Sequence, residues 1–235
     1  MKEVFWLSEV GREHSDLVGK KCANLGELTR LGMQVPAGFA ISIEAEKRFL
    51  EETGTFKKIR ELVRDKDLSA LDLQAELSRR IRSIIEGQEM PLDLANTIGS
   101  FYEELGWQCG GVARISVRSA GSASHPGQYE TCLNVKGVEE ALRSVKRVWS
   151  SIFNETTFYS LVRQGTPIED SPCIGVGCIE MVDAQCAGVC FTIHPVTGDP
   201  LKAVIEAAFG LGESVVSGRI TPDTYTVDKR SLRVL

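Results

Sequence analysis

The sequence predicts a mixed α/β chain that is mainly helical in its first half and richer in strands afterwards. Residues 70–106 carry apolar side chains at helical spacing in two runs, which Pro91 separates. Residues 114–118 instead alternate polar and apolar side chains, as a half-buried strand does. Three more strands are predicted where apolar runs end in turn residues, at 174–181, 188–193 and 203–207.

The remaining elements follow in chain order. Residues 4–7 form a short apolar strand, and a helix is predicted from about Lys20 to Gly32. Its apolar stripe consists of Leu25, Leu28 and Leu31. Residues 38–43 have the composition of a strand, and Ser42 is placed to cap a helix that carries Phe49 and Leu50.

The two helices within 70–106 are expected to serve packing and to carry no chemistry. Their apolar stripes are Leu73, Leu77, Ile81 and Ile84 in the first and Leu94, Ile98, Phe101 and Leu105 in the second. Further on, a short strand is predicted at 131–135. The clearest helix of the chain is predicted at 137–153, with Trp149 on its apolar face.

Composition excludes several classes of protein. The 235 residues are 43% hydrophobic and 25% charged, which is typical of a globular chain with a buried core. Broad nucleic-acid binding is disfavoured because 27 basic residues face 32 acidic ones, for a net charge of −5. No apolar run is long enough to span a membrane, and the first residues do not resemble a signal peptide.

The seven cysteines do not form a metal-binding or disulfide pattern. No C-x-x-C pair occurs, and the three histidines at 14, 125 and 194 are scattered. Cys178, Cys186 and Cys190 lie in apolar, glycine-containing stretches, where a free cysteine is expected to pack as a small apolar residue. We therefore predict a reduced, cytoplasmic protein without a bound structural metal.

The first candidate site is the segment 19–24, which reads GKKCAN. Gly19 followed by Lys20 and Lys21 at the start of a helix places two cations beside free backbone N–H groups, an arrangement that binds phosphate. The alternative is a solvated lysine pair at an ordinary helix start. The segment does not match a Walker A loop.

The second candidate is the segment 116–131, in which the strand-end Arg118 leads into a loop of Ser, Gly and Ala residues from 119 to 128. Small residues let backbone amides approach phosphate oxygens, and an arginine can bind phosphate through two hydrogen bonds. A flexible connector of the same composition is the alternative. His125 beside Pro-Gly is more typical of a surface turn than of a catalytic base.

The third candidate follows the strand at 203–207 and reads EAAFGLGESVVSG from Glu206 to Gly218. Gly210 and Gly212 suggest a nucleotide-binding turn, but Val215 stands where the dinucleotide fingerprint needs a glycine, so a Rossmann enzyme is disfavoured. Structural glycines in a strand-to-helix turn are the alternative. Glu206 lies in an apolar strand, where a buried carboxylate needs a partner or a metal.

Taken together and in this order, the three segments resemble a known family. The stretches are 19–39 (GKKCANLGELTRLGMQVPAGF), 116–135 (SVRSAGSASHPGQYETCLNV) and 181–225, which begins MVDAQCAGVCFTIHPVTGDP. They closely resemble the N-terminal nucleotide-binding domain of phosphoenolpyruvate synthase and pyruvate phosphate dikinase. Rifampicin phosphotransferase and phenylphosphate synthase are similar to the same domain. The resemblance is weakest between residues 55 and 110.

This resemblance implies an α/β ATP-grasp fold, with ATP between two lobes. Residues 1–177 would form the first lobe, with a helical insertion at about 55–110, and residues 178–235 the hinge and the start of an incomplete second lobe. Family members transfer the β-phosphate of Mg²⁺-bound ATP to a histidine on a swivelling domain and release AMP and phosphate. The histidine then phosphorylates a small acceptor such as pyruvate or phenol.

The resemblance also assigns roles to residues. Lys21 and Arg118 match the family's phosphate-binding cations and are the predicted catalytic residues. Met181 and Val182 fall in the hinge that meets the adenine. The other residues predicted to bind ATP are Ser119, Gly127, Thr131, Glu206 and Glu213.

The sequence departs from the family pattern at several positions. Lys20 and Cys22 replace two glycines, the loop after Arg118 is shorter and lacks a Glu-Asp pair, and Ile179 stands where glutamine is frequent. No metal ligand is assigned within the chain, and no histidine matches the swivelling domain. The partners implied are ATP, a domain or subunit with the phosphorylated histidine, and one that binds the acceptor.

Two further expectations follow. A non-catalytic nucleotide-binding or scaffold subunit is the alternative function; it would bind nucleotide without yielding AMP. Strand residues such as Val204 and Ile205 are expected to be poorly covered in a half-built lobe and to attract a partner chain or a second copy.

Overall fold

The computed structural model describes residues 2–121, 129–168 and 171–235, which form two compact units, Met1–Met181 and Val182–Leu235. The strands are Val4–Trp6 (β1), Gly38–Ile41 (β2), Arg114–Ala120 (β3), Thr131–Lys136 (β4), Gly175–Glu180 (β5), Cys186–Phe191 (β6), Lys202–Phe209 (β7) and Asp223–Asp228 (β8). The helices are Ser15–Arg30 (α1), Ile43–Glu52 (α2), Thr55–Val63 (α3), Leu71–Gly87 (α4), Leu92–Gln108 (α5), Val138–Ser150 (α6), Glu155–Arg163 (α7) and Glu213–Val216 (α8). The mixed α/β prediction is confirmed.

The first unit is built on a five-stranded antiparallel sheet with the order β1-β2-β5-β3-β4. Helices α2 to α7 supply most of the core on one face of this sheet, where Phe49 stacks on Trp149 at 5.1 Å between ring centroids. Helix α1 packs on the other face, against Ala40 of β2 and Ala120 of β3. The predicted change of lobe at residue 178 falls inside β5, which is the central strand of this sheet.

Local signals located several elements correctly. The side chain of Ser42 accepts a hydrogen bond from the Ala45 N–H and caps α2, as predicted. Pro91 is the residue before α5, and helices α4 and α5 bury Leu77, Ile81, Leu94, Ile98 and Leu105. Strand β3 buries Ile115 and Val117 and leaves its two arginines exposed.

The predicted apolar stripe of α1 is only partly buried: Leu25 packs against the core, but Leu28 and Leu31 are 38% and 67% exposed. The helix instead buries its small residues Cys22, Ala23 and Gly26. Small residues are needed there because the helix lies very close to neighbouring backbone. A Cβ on Gly26 would stand 2.1 Å from the Val10 carbonyl oxygen.

The second unit contains an antiparallel sheet with the order β6-β7-β8 and the short helix α8. Strand β8 and helix α7 were not anticipated from the sequence, whereas α8 follows β7 as in the strand-to-helix turn that was one interpretation of residues 206–218. Two further expectations are corrected here: Val204 is buried, and Cys186 and Cys190 are exposed, although Cys178 is buried as expected. Strand β6 carries the two cysteines at alternate positions, so both point to the same open face.

All seven cysteines are free thiols. None of the helices in the described part of the chain combines the length and apolar character needed to cross a bilayer.

Glu46 is a buried acid that should make stability depend on pH. Its side chain is 1% exposed, and its Oε2 accepts the Ile174 N–H at 2.5 Å, while burial raises the pKa of the carboxyl well above its usual value. A raised folded-state pKa favours the protonated form, so this contribution is present at acid pH and is lost as pH rises through the raised pKa. Between the ordinary pKa and the raised pKa of this carboxyl, the free energy of unfolding falls by up to about 1.4 kcal/mol per pH unit.

We therefore expect Glu46→Gln to flatten the decline in the free energy of unfolding between pH 5 and pH 8, because Gln stays neutral and can still accept the Ile174 N–H. Urea denaturation at a series of pH values measures this. Glu44→Gln, at an exposed position of the same helix, should keep the wild-type slope. Equal slopes for Glu46→Gln and wild type would contradict the prediction.

Candidate functional site

Helix α1 is interrupted at Gly19, where φ is 78° and ψ is 154°. This combination is accessible almost only to glycine. A Cβ on Gly19 would stand 1.8 Å from the carbonyl oxygen of Ala120, at the end of β3. The missing side chain therefore lets the backbone of α1 contact the end of β3. The Lys20 N–H donates to the Gly121 carbonyl oxygen at 3.2 Å.

This contact brings Lys21 close to Arg118. Partial burial of the ammonium, and next the neighbouring Arg118 guanidinium, lower the pKa of Lys21. Neither side chain has an ion-pair partner among the residues that the structure describes. Two cations held together without a counter-ion form a site of positive potential that favours an anion such as phosphate.

The neighbours of Arg118 complete the local geometry. In the register of the sheet it lies beside Thr131 of β4 and Gly177 of β5. The Sγ of Cys22 stands 2.9 Å from where a Cβ of Gly177 would be, so the glycine on β5 leaves room for the cysteine on α1. Burial raises the pKa of the Cys22 thiol to about 12, which excludes it as a nucleophile at neutral pH.

The structure brings together only some of the residues predicted around the phosphates. Thr131 is exposed beside Arg118. Ser119 is 2% exposed on the opposite face of β3, so its side chain does not join them. Gly127 and His125 lie outside the described residues. The predicted phosphate-binding residues that lie close together on the surface of the first unit are thus Lys21, Arg118 and Thr131.

Met181 lies at the other end of the same sheet. Its N–H donates to the Arg114 carbonyl oxygen at 2.8 Å, and its Sδ accepts the Asn134 N–H at 2.9 Å. From Gly177 to Met181 the extended chain advances about 13 Å. The predicted adenine-binding and phosphate-binding residues of this unit are therefore separated by a distance that an extended nucleoside triphosphate can bridge.

The other predicted residues belong to the second unit. Val182 is 57% exposed, and Glu213 begins α8 and forms an ion pair with Arg219 at 3.2 Å. Glu206 lies in β7 as predicted, but its side chain is only partly buried, so the expectation of a buried carboxylate is wrong. The reason is that β7 is only partly covered: Phe209 at its end is 89% exposed.

No three His, Cys, Asp or Glu side chains come together as a possible metal site within the described ranges. Lys21 and Arg118, which have no ion-pair partner among the described residues, carry charges that fit the triphosphate of a nucleotide.

Sequence reasoning missed two features of this site. From the sequence, Gly19 is predicted only to start a helix, although a glycine directly before Lys-Lys can signal a close approach of two backbone segments. Glu130, the residue before Thr131, was not singled out. It accepts hydrogen bonds from Arg82 and Arg147, and no sequence signal joins residues so far apart.

Comparison with known proteins gives a consistent result. Residues 15–235 match the family model described as pyruvate phosphate dikinase, AMP/ATP-binding domain. Among curated relatives, the probable phosphoenolpyruvate synthase of Staphylothermus marinus is 41% identical over 99% of this chain and 29% of its own length. The probable phosphoenolpyruvate synthase of Archaeoglobus fulgidus is 41% identical over 96% of this chain and 30% of its own length.

The phosphoenolpyruvate synthase of Aeropyrum pernix is 38% identical over 99% of this chain and 29% of its own length. The chain thus spans less than a third of the curated relatives named here. The family model covers nearly all of its residues, including every predicted site residue. The chain belongs to the pyruvate phosphate dikinase AMP/ATP-binding domain family.

Proposed function

We propose that this chain binds Mg²⁺-bound ATP for transfer of the β-phosphate to a histidine on another domain or subunit. AMP and phosphate leave, and the histidine passes its phosphoryl group to a small acceptor such as pyruvate or phenol. The observation that carries the proposal is the juxtaposition of Lys21 and Arg118, two cations without ion-pair partners in the described part of the chain. The names of the curated relatives support an acceptor of the pyruvate class.

The cations would act mainly by neutralising charge. Phosphoryl transfer depends on alignment of the phosphate groups and on stabilisation of the charge that spreads over their oxygens. Lys21 and Arg118 donate from two directions, one from a helix and one from a strand. Thr131 adds a hydroxyl beside Arg118, and Ser119 and Gly127 are further residues that the proposal assigns to the nucleotide.

The remaining roles are assigned by the same proposal. Backbone groups of Met181 and Val182 bind the adenine edge, and Glu206 and Glu213 are further nucleotide-binding residues. The fold proposed is of the ATP-grasp type. Lys21 and Arg118 would hold the triphosphate, and a Mg²⁺ ion bound to it would supply further charge neutralisation. The proposal includes a cytoplasmic location, which the free thiols support.

Calorimetric titration of the chain with Mg²⁺-bound ATP tests the binding step. We expect one site per chain, and weaker binding of AMP because it lacks the phosphates that Lys21 and Arg118 would contact. The absence of heat with ATP at millimolar concentration, under conditions in which the chain is folded, would contradict the proposal.

The transfer step needs the chain together with the domain or subunit that carries the histidine. ATP labelled at the β-phosphate should then leave its label on a histidine and release AMP and unlabelled phosphate. Nucleotide binding without any AMP would instead favour the non-catalytic, nucleotide-binding alternative.

A further inference from the structure

An ion-pair network surrounds Glu130 at the start of β4. Its Oε1 accepts from the Nη2 of Arg82 on α4 at 2.5 Å, and its Oε2 accepts from the Nε of Arg147 on α6 at 2.7 Å. Each carboxylate oxygen therefore has its own charged donor. The three residues connect the beginning of a strand to two helices.

The inner part of this network is shielded from solvent. The side chains of Arg82 and Glu130 are 25% and 27% exposed, whereas Arg147 is 61% exposed. Glu86, one turn after Arg82 on α4, accepts the hydroxyl of Ser150 on α6 at 2.5 Å. Helices α4 and α6 are thus hydrogen-bonded to each other as well as to Glu130, and these contacts restrain the position of its carboxylate.

Glu130 lies next to two of the predicted phosphate-binding residues. Glu130 directly precedes Thr131, which pairs with Arg118 in the register of β3 and β4. Ends of strands open easily unless side chains hold them. A carboxylate bound by two arginines at this point restrains the backbone on which Thr131 lies and, through the strand pairing, the backbone of Arg118.

We infer that Glu130, held by Arg82 and Arg147, is a positioning residue that fixes Arg118 and Thr131 for the phosphates of the nucleotide. This inference rests on the proposed function. Arg82 lies on helix α4, in the segment where the resemblance to the family is weakest. The inference therefore assigns α4 a role in nucleotide binding, although the helix does not contact the nucleotide.

The variants Arg82→Gln and Glu130→Gln test the inference by two measurements. We expect amide hydrogen exchange at Arg118 and Thr131 to be faster by about tenfold, because the corner of β3 and β4 opens more often. The dissociation constant for Mg²⁺-bound ATP should rise about three- to tenfold. The double variant should match the single ones, and Arg82→Lys, which keeps a positive charge, should recover most of the affinity.

Arg48→Gln is the matched control for a loss of ATP affinity that results only from a general loss of stability. Arg48 is 27% exposed and contacts Glu3 at 2.7 Å, and its other carboxylate partners are Glu52 and Asp93. Glu3 adjoins β1, which β2 and β5 separate from β3. We expect Arg48→Gln to lower the thermal unfolding midpoint about as much as Arg82→Gln does, with unchanged exchange at Thr131 and unchanged ATP affinity.

The outcomes separate this inference from the proposed function. If wild type binds ATP and Lys21→Ala weakens binding, unchanged affinity and exchange in Arg82→Gln and Glu130→Gln would overturn the inference alone. If wild type binds no ATP, the proposed function fails, and with it the role toward the nucleotide. Exchange at Thr131 would then still show whether Glu130 restrains the corner.

Discussion

Replacing Gly19 by alanine should destabilise the first unit by about 3 to 5 kcal/mol and prevent measurable nucleotide binding. Two costs add. The backbone of Gly19 has φ of 78° and ψ of 154°, a region that side chains with a Cβ avoid. The new methyl group would also stand 1.8 Å from the Ala120 carbonyl oxygen, so α1 must move away from β3.

Urea denaturation and calorimetric titration with Mg²⁺-bound ATP measure the two effects. Gly32→Ala is the matched control, because Gly32 also has a positive φ, 76°, but nothing lies within 4 Å of a Cβ there. That variant should lose only about 1 kcal/mol, the conformational part of the cost, and bind ATP normally. Equal stability losses in the two variants would show that the contact with Ala120 has no energetic weight.

Removing either predicted phosphate-binding cation should weaken ATP binding strongly while leaving the fold intact. We expect Lys21→Ala and Arg118→Ala each to raise the dissociation constant for Mg²⁺-bound ATP by about 30- to 100-fold, or about 2 to 3 kcal/mol. Both side chains are exposed and have no ion-pair partner in the described residues, so their loss breaks no contact that stabilises the first unit.

The chain offers a close control for each variant. Lys20→Ala removes the neighbouring exposed cation but keeps the N–H that donates to Gly121. Arg114→Ala removes the other exposed arginine of β3. Both should change ATP affinity by less than about threefold, the range of a solvated surface charge. If the controls lose as much affinity as Lys21→Ala and Arg118→Ala, general surface charge and not a defined site binds the nucleotide.

Local sequence signals were sufficient where an element depends on its own residues. The Ser42 cap, the joint at Pro91 and the alternation in β3 are examples, because each depends on backbone geometry within a few residues. The exposed position of Arg118 followed from the same alternation. The proximity of Arg118 to Lys21 could not be predicted in this way, because the spacing along one strand contains no information on a helix that packs on the sheet.

Features set by tertiary packing were predicted incorrectly or not at all. Leu28 and Leu31 form a regular apolar stripe, yet α1 buries Cys22 and Gly26 because only small residues allow its close approach to neighbouring backbone. The predicted poor cover of strand β7 is wrong for Val204, which is buried, whereas Ile205 and most of the strand are only partly buried. The contacts of Glu130 join residues 48 and 17 positions apart.

The order of strands in the first unit has a consequence for its synthesis. Strand β5 lies between β2 and β3 in the middle of the sheet, yet it is the last strand of the unit in the chain. While a ribosome makes the protein from its N-terminus, β2 and β3 must wait without their shared neighbour until residues 175–180 emerge. The nascent chain therefore exposes an unpaired edge of β2 once residues 38–41 have emerged, and one of β3 once residues 114–120 have emerged. Association with a chaperone or with other nascent chains is favoured until β5 is inserted.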